Sequence, residues 1–304
     1  MQPLAGGLVG AFPLYFVIML LVAAPTDCLM SDDTAGDGDD RLVRGELRVL
    51  SSLAIFFAGL YGWYVALIDG LEARFQVSQL LVASVGIGSA CFHCTLRHVE
   101  QQCDETPMVL SMLNWSHELF ADAWEDSSFL SAAMPVLLVL YGLAFALLHN
   151  SYRWTTGFQV HFAVLALINL TRCICISRDK SLGPATLLLR RAMVATALAA
   201  LCWNIDFHFC DHLQSGAVPN PEGHAWWHVL IAYAILQCTS FSIYRRCVQV
   251  GTPVTIVLRG PFGLWPTLRV ACQDKRSDHT FAVCLVNQKA PMAPCDPGSG
   301  CPVQ

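Results

Sequence analysis

Three imidazoles, His93, His224 and His228, stand in segments otherwise apolar enough for hydrocarbon, and they are the residues best suited to chemistry. Ionisable groups at that depth are costly and mark functional sites by default. His224 and His228 belong to HAWWH, and residues four apart share one face of a helix. With His93 as third donor they form the ligand set of a catalytic zinc site, which commonly uses three protein ligands and leaves the fourth position for water. The competing reading is three separately satisfied histidines that bond backbone groups or cap helices.

Ser89 precedes His93 by four residues in GIGSACFHC, one turn earlier on the same face. A hydroxyl there can donate to the oxyanion that develops on a polarised carbonyl. Its plainer role is helix packing beside Gly86 and Gly88, where small residues let backbones approach. Asp104 precedes Pro107 and suits the first turn of a helix, either as an N-capping aspartate or as general base and then general acid. Glu105 is the alternative holder of that role. Asp206, in CWNID, either orients a ligand imidazole from behind or simply ends a helix.

These residues need long apolar elements to hold them. Of the 304 residues 55% are hydrophobic and 13% charged, against about 25% charged in an ordinary soluble domain. Apolar stretches near the 20 residues that cross a bilayer run over about 3–24, 49–68, 78–97, 106–121, 128–148, 158–176, 184–204 and 224–245. The expected fold is therefore an all-α membrane protein, a seven-transmembrane-helix bundle with an additional N-terminal hydrophobic segment. Residues 1–45 form that segment and an acidic linker, 46–248 the membrane domain, and 249–304 a cytosolic tail. Most of the fourteen cysteines lie in apolar segments and read as small hydrophobes. No basic run with interleaved aromatics suggests nucleic acid.

Basic residues in the short connections orient the bundle. Arg74, Arg178, Lys180, Arg190, Arg191, Arg245 and Arg246 gather on one side, which is expected to be cytosolic. Connectivity alone then brings His93, Asp104, His224 and His228 to the opposite end, although they lie far apart in sequence.

GIGSACFHCTL, Gln101–Met108 (QQCDETPM), CWNID followed by Cys210, and HAWWH together resemble the alkaline ceramidases. DGLEARF from Asp69 and GLWP from Gly263 resemble that family's phytoceramidase-type branch. The resemblance covers about residues 46–268. It implies a seven-helix intramembrane amidase, related in architecture to adiponectin receptors, that hydrolyses ceramide to a sphingoid base and a fatty acid in endoplasmic reticulum or Golgi membranes. It assigns zinc to His93, His224 and His228, and catalysis to Ser89 and Asp104. It further implies a calcium site, for which Glu46 matches one family ligand. The family's Asp-Trp-Cys-Glu segment is replaced here by Thr26-Asp27-Cys28 before the acidic linker, leaving Asp27, Asp32 or Asp33 as oxygen donors. A disulfide joining Cys28 and Cys210 is implied too. Trp226 and Trp227 either border a lipid pocket or anchor the helix at the interface.

The alternative from another class is a receptor or scaffold with structural zinc. A channel or transporter is disfavoured by the clustering of polar groups at one end. Oligomeric state and acyl-chain preference do not follow from the sequence.

Overall fold

The computed structural model of the protein describes residues 38–124, 126–209, 221–259 and 265–270. The expected first hydrophobic segment, most of the acidic linker, Asp27, Cys28, Cys210 and the chain beyond 270 lie outside the described residues.

Seven long helices follow one another: α1 (Gly38–Ile68), α2 (Ala73–Thr95), α3 (His98–Phe120), α4 (Ser128–Tyr152), α5 (Thr155–Ile176), α6 (Thr186–His208) and α7 (Gly223–Gln249). Among the described residues six helical stretches, all but α3, are long and apolar enough to cross a membrane. Their outer faces fit that environment. Helix α4 buries only Gly142 and His149, while Leu137, Leu140, Leu143 and Leu147 are each more than half exposed. In water so large an apolar surface is a liability; against lipid it is the ordinary condition.

Helix α3 starts eight residues before the expected segment (98 against 106). The connection from α2 is only Leu96 and Arg97. Leu96 adopts left-handed φ 53°, and its N–H bonds the Phe92 carbonyl at 2.7 Å, which ends α2 in one step. Asp104 is therefore the seventh residue of α3, and the N-capping role weighed for it is not observed. Pro107 lies inside the helix rather than in its first turn. Having no N–H, it cannot bond the Cys103 carbonyl, and that carbonyl faces Gly88 of α2. A Cβ at Gly88 would stand 1.9 Å from the Cys103 oxygen. The glycine and the proline together let α2 and α3 approach beside Ser89, which follows Gly88, and Asp104, which follows Cys103.

Helix α2 packs between α1 and α3, α7 packs on α1 and α6, and α3 also meets α4 and α5. Ile55, Val82, Val85 and Ala232 form an apolar cluster among α1, α2 and α7, with Met108 and Ile235 against it. A second polar group is buried beyond it. Asn114 donates to Glu118 at 3.2 Å and Gln79 to Thr239 at 3.0 Å. Arg245 donates to the Leu119 carbonyl at 3.1 Å and pairs with Asp122 at 2.9 Å. Polar residues are thus buried toward both ends of the bundle, contrary to the expectation of one end only. An apolar cluster of α1, α2 and α7 lies between the two polar groups.

The all-α expectation also misses a hairpin. Strand β1 (Val254–Arg259) pairs antiparallel with β2 (Trp265–Val270), Val254 opposite Val270. Alternate residues Val254 and Ile256, with Leu268, pack on the core of Leu119, Leu188, Phe241 and Tyr244, at the end away from the histidines.

Candidate active site

Helix α2 supplies His93 in its last turn and Ser89 one turn earlier; α7 supplies His224 and His228 in its first two turns. The ligand nitrogens of the three histidines all lie within 4.8 Å of one another. His93 Nε2 and His224 Nε2 are 3.1 Å apart. Two imidazole nitrogens come this close when one donates to the other or when both aim lone pairs at one ion. Tetrahedral zinc with Zn–N bonds of about 2.0–2.1 Å sets such a pair about 3.3 Å apart, so the donor set fits zinc.

The surroundings of His228 favour the same use. Ser51 Oγ lies 2.8 Å from His228 Nδ1 and also donates to the Arg48 carbonyl at 3.0 Å. Where Ser51 gives its only proton to that carbonyl, it accepts from Nδ1–H and Nε2 keeps a free lone pair. Ser89 Oγ lies on that side, 3.4 Å from Nε2, so its hydroxyl borders the position an ion would take.

Asp104 on α3 lies near Ser89, close enough for their side chains to interact. Glu105 does not share the site. It is buried and engaged by His149 of α4 and by Gln101 Nε2 at 2.9 Å. Asp206 orients His224 through the backbone, not the ring: Oδ2 accepts from His224 N–H at 3.1 Å, satisfying an otherwise free amide at the start of α7. A Cβ at Gly223 would lie 2.3 Å from the Cys202 carbonyl, so glycine permits this close approach of α6 and α7. Arg48 completes the strut, 3.5 Å from the same carboxylate.

The residues one turn inward from the site are apolar. Ile55 follows Ser52, Val85 precedes Ser89, Met108 follows Asp104 and Ala232 follows His228, and all belong to the apolar layer. They give the site an apolar floor. Trp226 is exposed outward, whereas Trp227 turns in against Trp203, ring centroids 6.4 Å apart. Glu46 is exposed on α1, and its expected calcium partner Asp27 lies outside the described residues.

Sequence reasoning passed over Arg48, Ser51 and Ser52. Ser52 is fully buried and donates to Ser89 at 3.1 Å. The signal available was a serine pair in an apolar run, one turn after an arginine.

Comparison with known proteins gives a consistent picture. Residues 47–268 match the family model described as Ceramidase. An alkaline ceramidase of Arabidopsis thaliana is 32% identical over 204 residues, covering 67% of this chain and 78% of that protein. Alkaline ceramidase 3 of Mus musculus is 28% identical over 240 residues, covering 75% and 86% respectively. An alkaline ceramidase of Saccharomyces cerevisiae is 25% identical over 213 residues, covering 62% and 67%.

Proposed function

The chain belongs to the ceramidase family and is a ceramidase, and from that premise we propose that it hydrolyses the ceramide amide at one zinc ion held by His93, His224 and His228. The observation that carries this reading is the meeting of three imidazoles from α2 and α7 beside the Ser89 hydroxyl, over an apolar floor.

When bound, zinc supplies Lewis acidity to the amide carbonyl and lowers the pKa of water to about 7. Asp104 takes the proton of the attacking water as its oxygen bonds the carbonyl carbon. Ser89 donates to the oxyanion that forms. Asp104 then delivers its proton to the departing nitrogen as the C–N bond breaks, releasing a sphingoid base and a fatty acid. A structural zinc, as in the receptor-type alternative, closes with a fourth protein ligand. Among the described residues no fourth histidine, cysteine or carboxylate joins the group, which supports an open, catalytic position.

In this reading α3 is the seventh crossing, its polar residues turned to bundle partners. The basic end faces the cytosol with the C-terminus, and the site opens toward the lumen of the endoplasmic reticulum or Golgi. The substrate class is the ceramides, phytoceramide or dihydroceramide included. A calcium ion held by Glu46 and Asp27 is part of the same proposal.

The test is fatty-acid release from a panel of ceramides by purified protein in detergent, with and without a zinc chelator, alongside His224→Ala. The expected protein carries about one zinc per chain, consistent with one three-ligand site. Chelation and His224→Ala each abolish hydrolysis, and the variant loses the metal. Release that persists in the zinc-free protein would sink the mechanism.

A further inference from the structure

We propose that Ser51 and Ser52, adjacent on α1, position the metal centre: Ser51 fixes the tautomer of His228, and Ser52 fixes the direction in which Ser89 donates. This rests on the zinc reading of the site.

The argument is an accounting of protons. Both hydroxyls reach the Arg48 carbonyl, Ser51 at 3.0 Å and Ser52 at 2.8 Å. That oxygen has two lone pairs, and within the helix one already accepts the Ser52 N–H. One hydroxyl proton can therefore be well placed there, and the other must go elsewhere.

Ser52 Oγ also approaches His228 Nδ1, but at 3.4 Å against 2.8 Å for Ser51; with the shorter contact kept, two arrangements satisfy these bonds. In one, Ser52 bonds the carbonyl and Ser51 donates to His228 Nδ1. The ring then carries its proton on Nε2, the nitrogen facing His93, His224 and Ser89, and cannot bind metal through it. In the other, Ser51 bonds the carbonyl and accepts from Nδ1–H at 2.8 Å. Ser52 then donates to Ser89 at 3.1 Å, and the Ser89 proton is free to point toward Asp104 or a substrate oxyanion. Only the second leaves Nε2 as a ligand, and it also makes Ser89 a donor to the reaction. Metal binding and hydroxyl orientation are thus one choice made on α1. Ser52 and Ser89 expose 0% and 2% of their surface, so bulk water does not compete for these bonds.

The two serines should separate experimentally. Wild type, Ser51→Ala, Ser51→Thr and Ser52→Ala are purified in detergent, and zinc content and the half-time of zinc loss to a chelator are measured. Ser51→Ala is expected to lose zinc about tenfold faster, within the about 10–100-fold that such outer partners are worth. Ser51→Thr, which keeps the hydroxyl, should match wild type. Ser52→Ala should hold zinc as wild type does, with kcat for ceramide about tenfold lower at unchanged KM.

Ser51→Ala holding zinc as long as wild type overturns the assignment of Ser51. So does Ser52→Ala releasing it as fast as Ser51→Ala, or a threonine variant that fails to restore it. Unchanged kcat in Ser52→Ala overturns the assignment of Ser52. If Ser51→Ala does not fold, Ser51→Cys is read in the same way, since a thiol fills the position but is a weak acceptor. Wild type without zinc defeats the reading of the site as well, so the two failures are distinguishable.

Discussion

In the proposed mechanism Ser89 and Asp104 act without ligating the metal, and that separates their variants from those of the histidines. Ser89→Ala removes an oxyanion donor, a loss worth about 10²–10³ in kcat where such donors have been removed. Asp104→Asn removes the proton carrier, and general acid–base groups contribute about 10²–10⁴. Both variants are expected to retain zinc, measured by metal analysis of the purified protein. Loss of metal from either would reassign it from catalysis to site assembly. At this scale the histidines were legible because imidazoles are rare in apolar runs. Ser51 and Ser52 were not, because a helical serine commonly satisfies itself on the carbonyl one turn back. Only the fold shows that His228 stands against the same hydroxyls.

Helices α2 and α3 meet through the missing side chain of Gly88 and the carbonyl that Pro107 cannot bond. Gly88→Ala would place a Cβ against backbone, where no side-chain rotation relieves it. The overpacking cost, about 1–3 kcal/mol, exceeds the about 0.5–1 kcal/mol gained by replacing a helical glycine with alanine. The expected outcome is a lower melting temperature together with reduced hydrolysis, since Ser89 and Asp104 flank the contact. A melting temperature equal to wild type would contradict the close approach. Most helix limits were legible, α4 beginning at Ser128 as expected and α5 ending at Ile176, because apolar runs broken by polar connections map directly onto spans. The start of α3 was not. HVEQQCDE reads as a loop in one dimension, yet its Gln101, Asp104 and Glu105 are turned inward to partners on α2, α3 and α4. The hairpin of β1 and β2 was hidden for another reason: six-residue strands leave little periodic signal, and what stabilises them is the α7 end on which they pack.

The bundle as a whole is tied at its basic end by Asp122, which receives Arg172 and Arg245 from two different helices. Burial works against ionisation of Asp122, but the hydrogen bond and charge of Arg245, followed by those of Arg172, outweigh it and hold the carboxyl below its ordinary range. A carboxyl whose folded-state pKa is depressed contributes stability above its unfolded pKa of about 3.9, and that contribution fades as pH falls through the folded value. Asp122→Asn should therefore melt below wild type at pH 7, with the gap closing in acid below the ordinary aspartate range. A gap that stays constant across that range would remove the ion pairs from the account. The floor of Ile55, Val82, Val85 and Ala232 has a different consequence at this scale. If it separates the proposed hydrolytic centre from the arginine-bearing end, the protein should sense acidity from one compartment alone. In sealed proteoliposomes, turnover should follow a pH step imposed on the histidine-bearing side and ignore the same step imposed on the other.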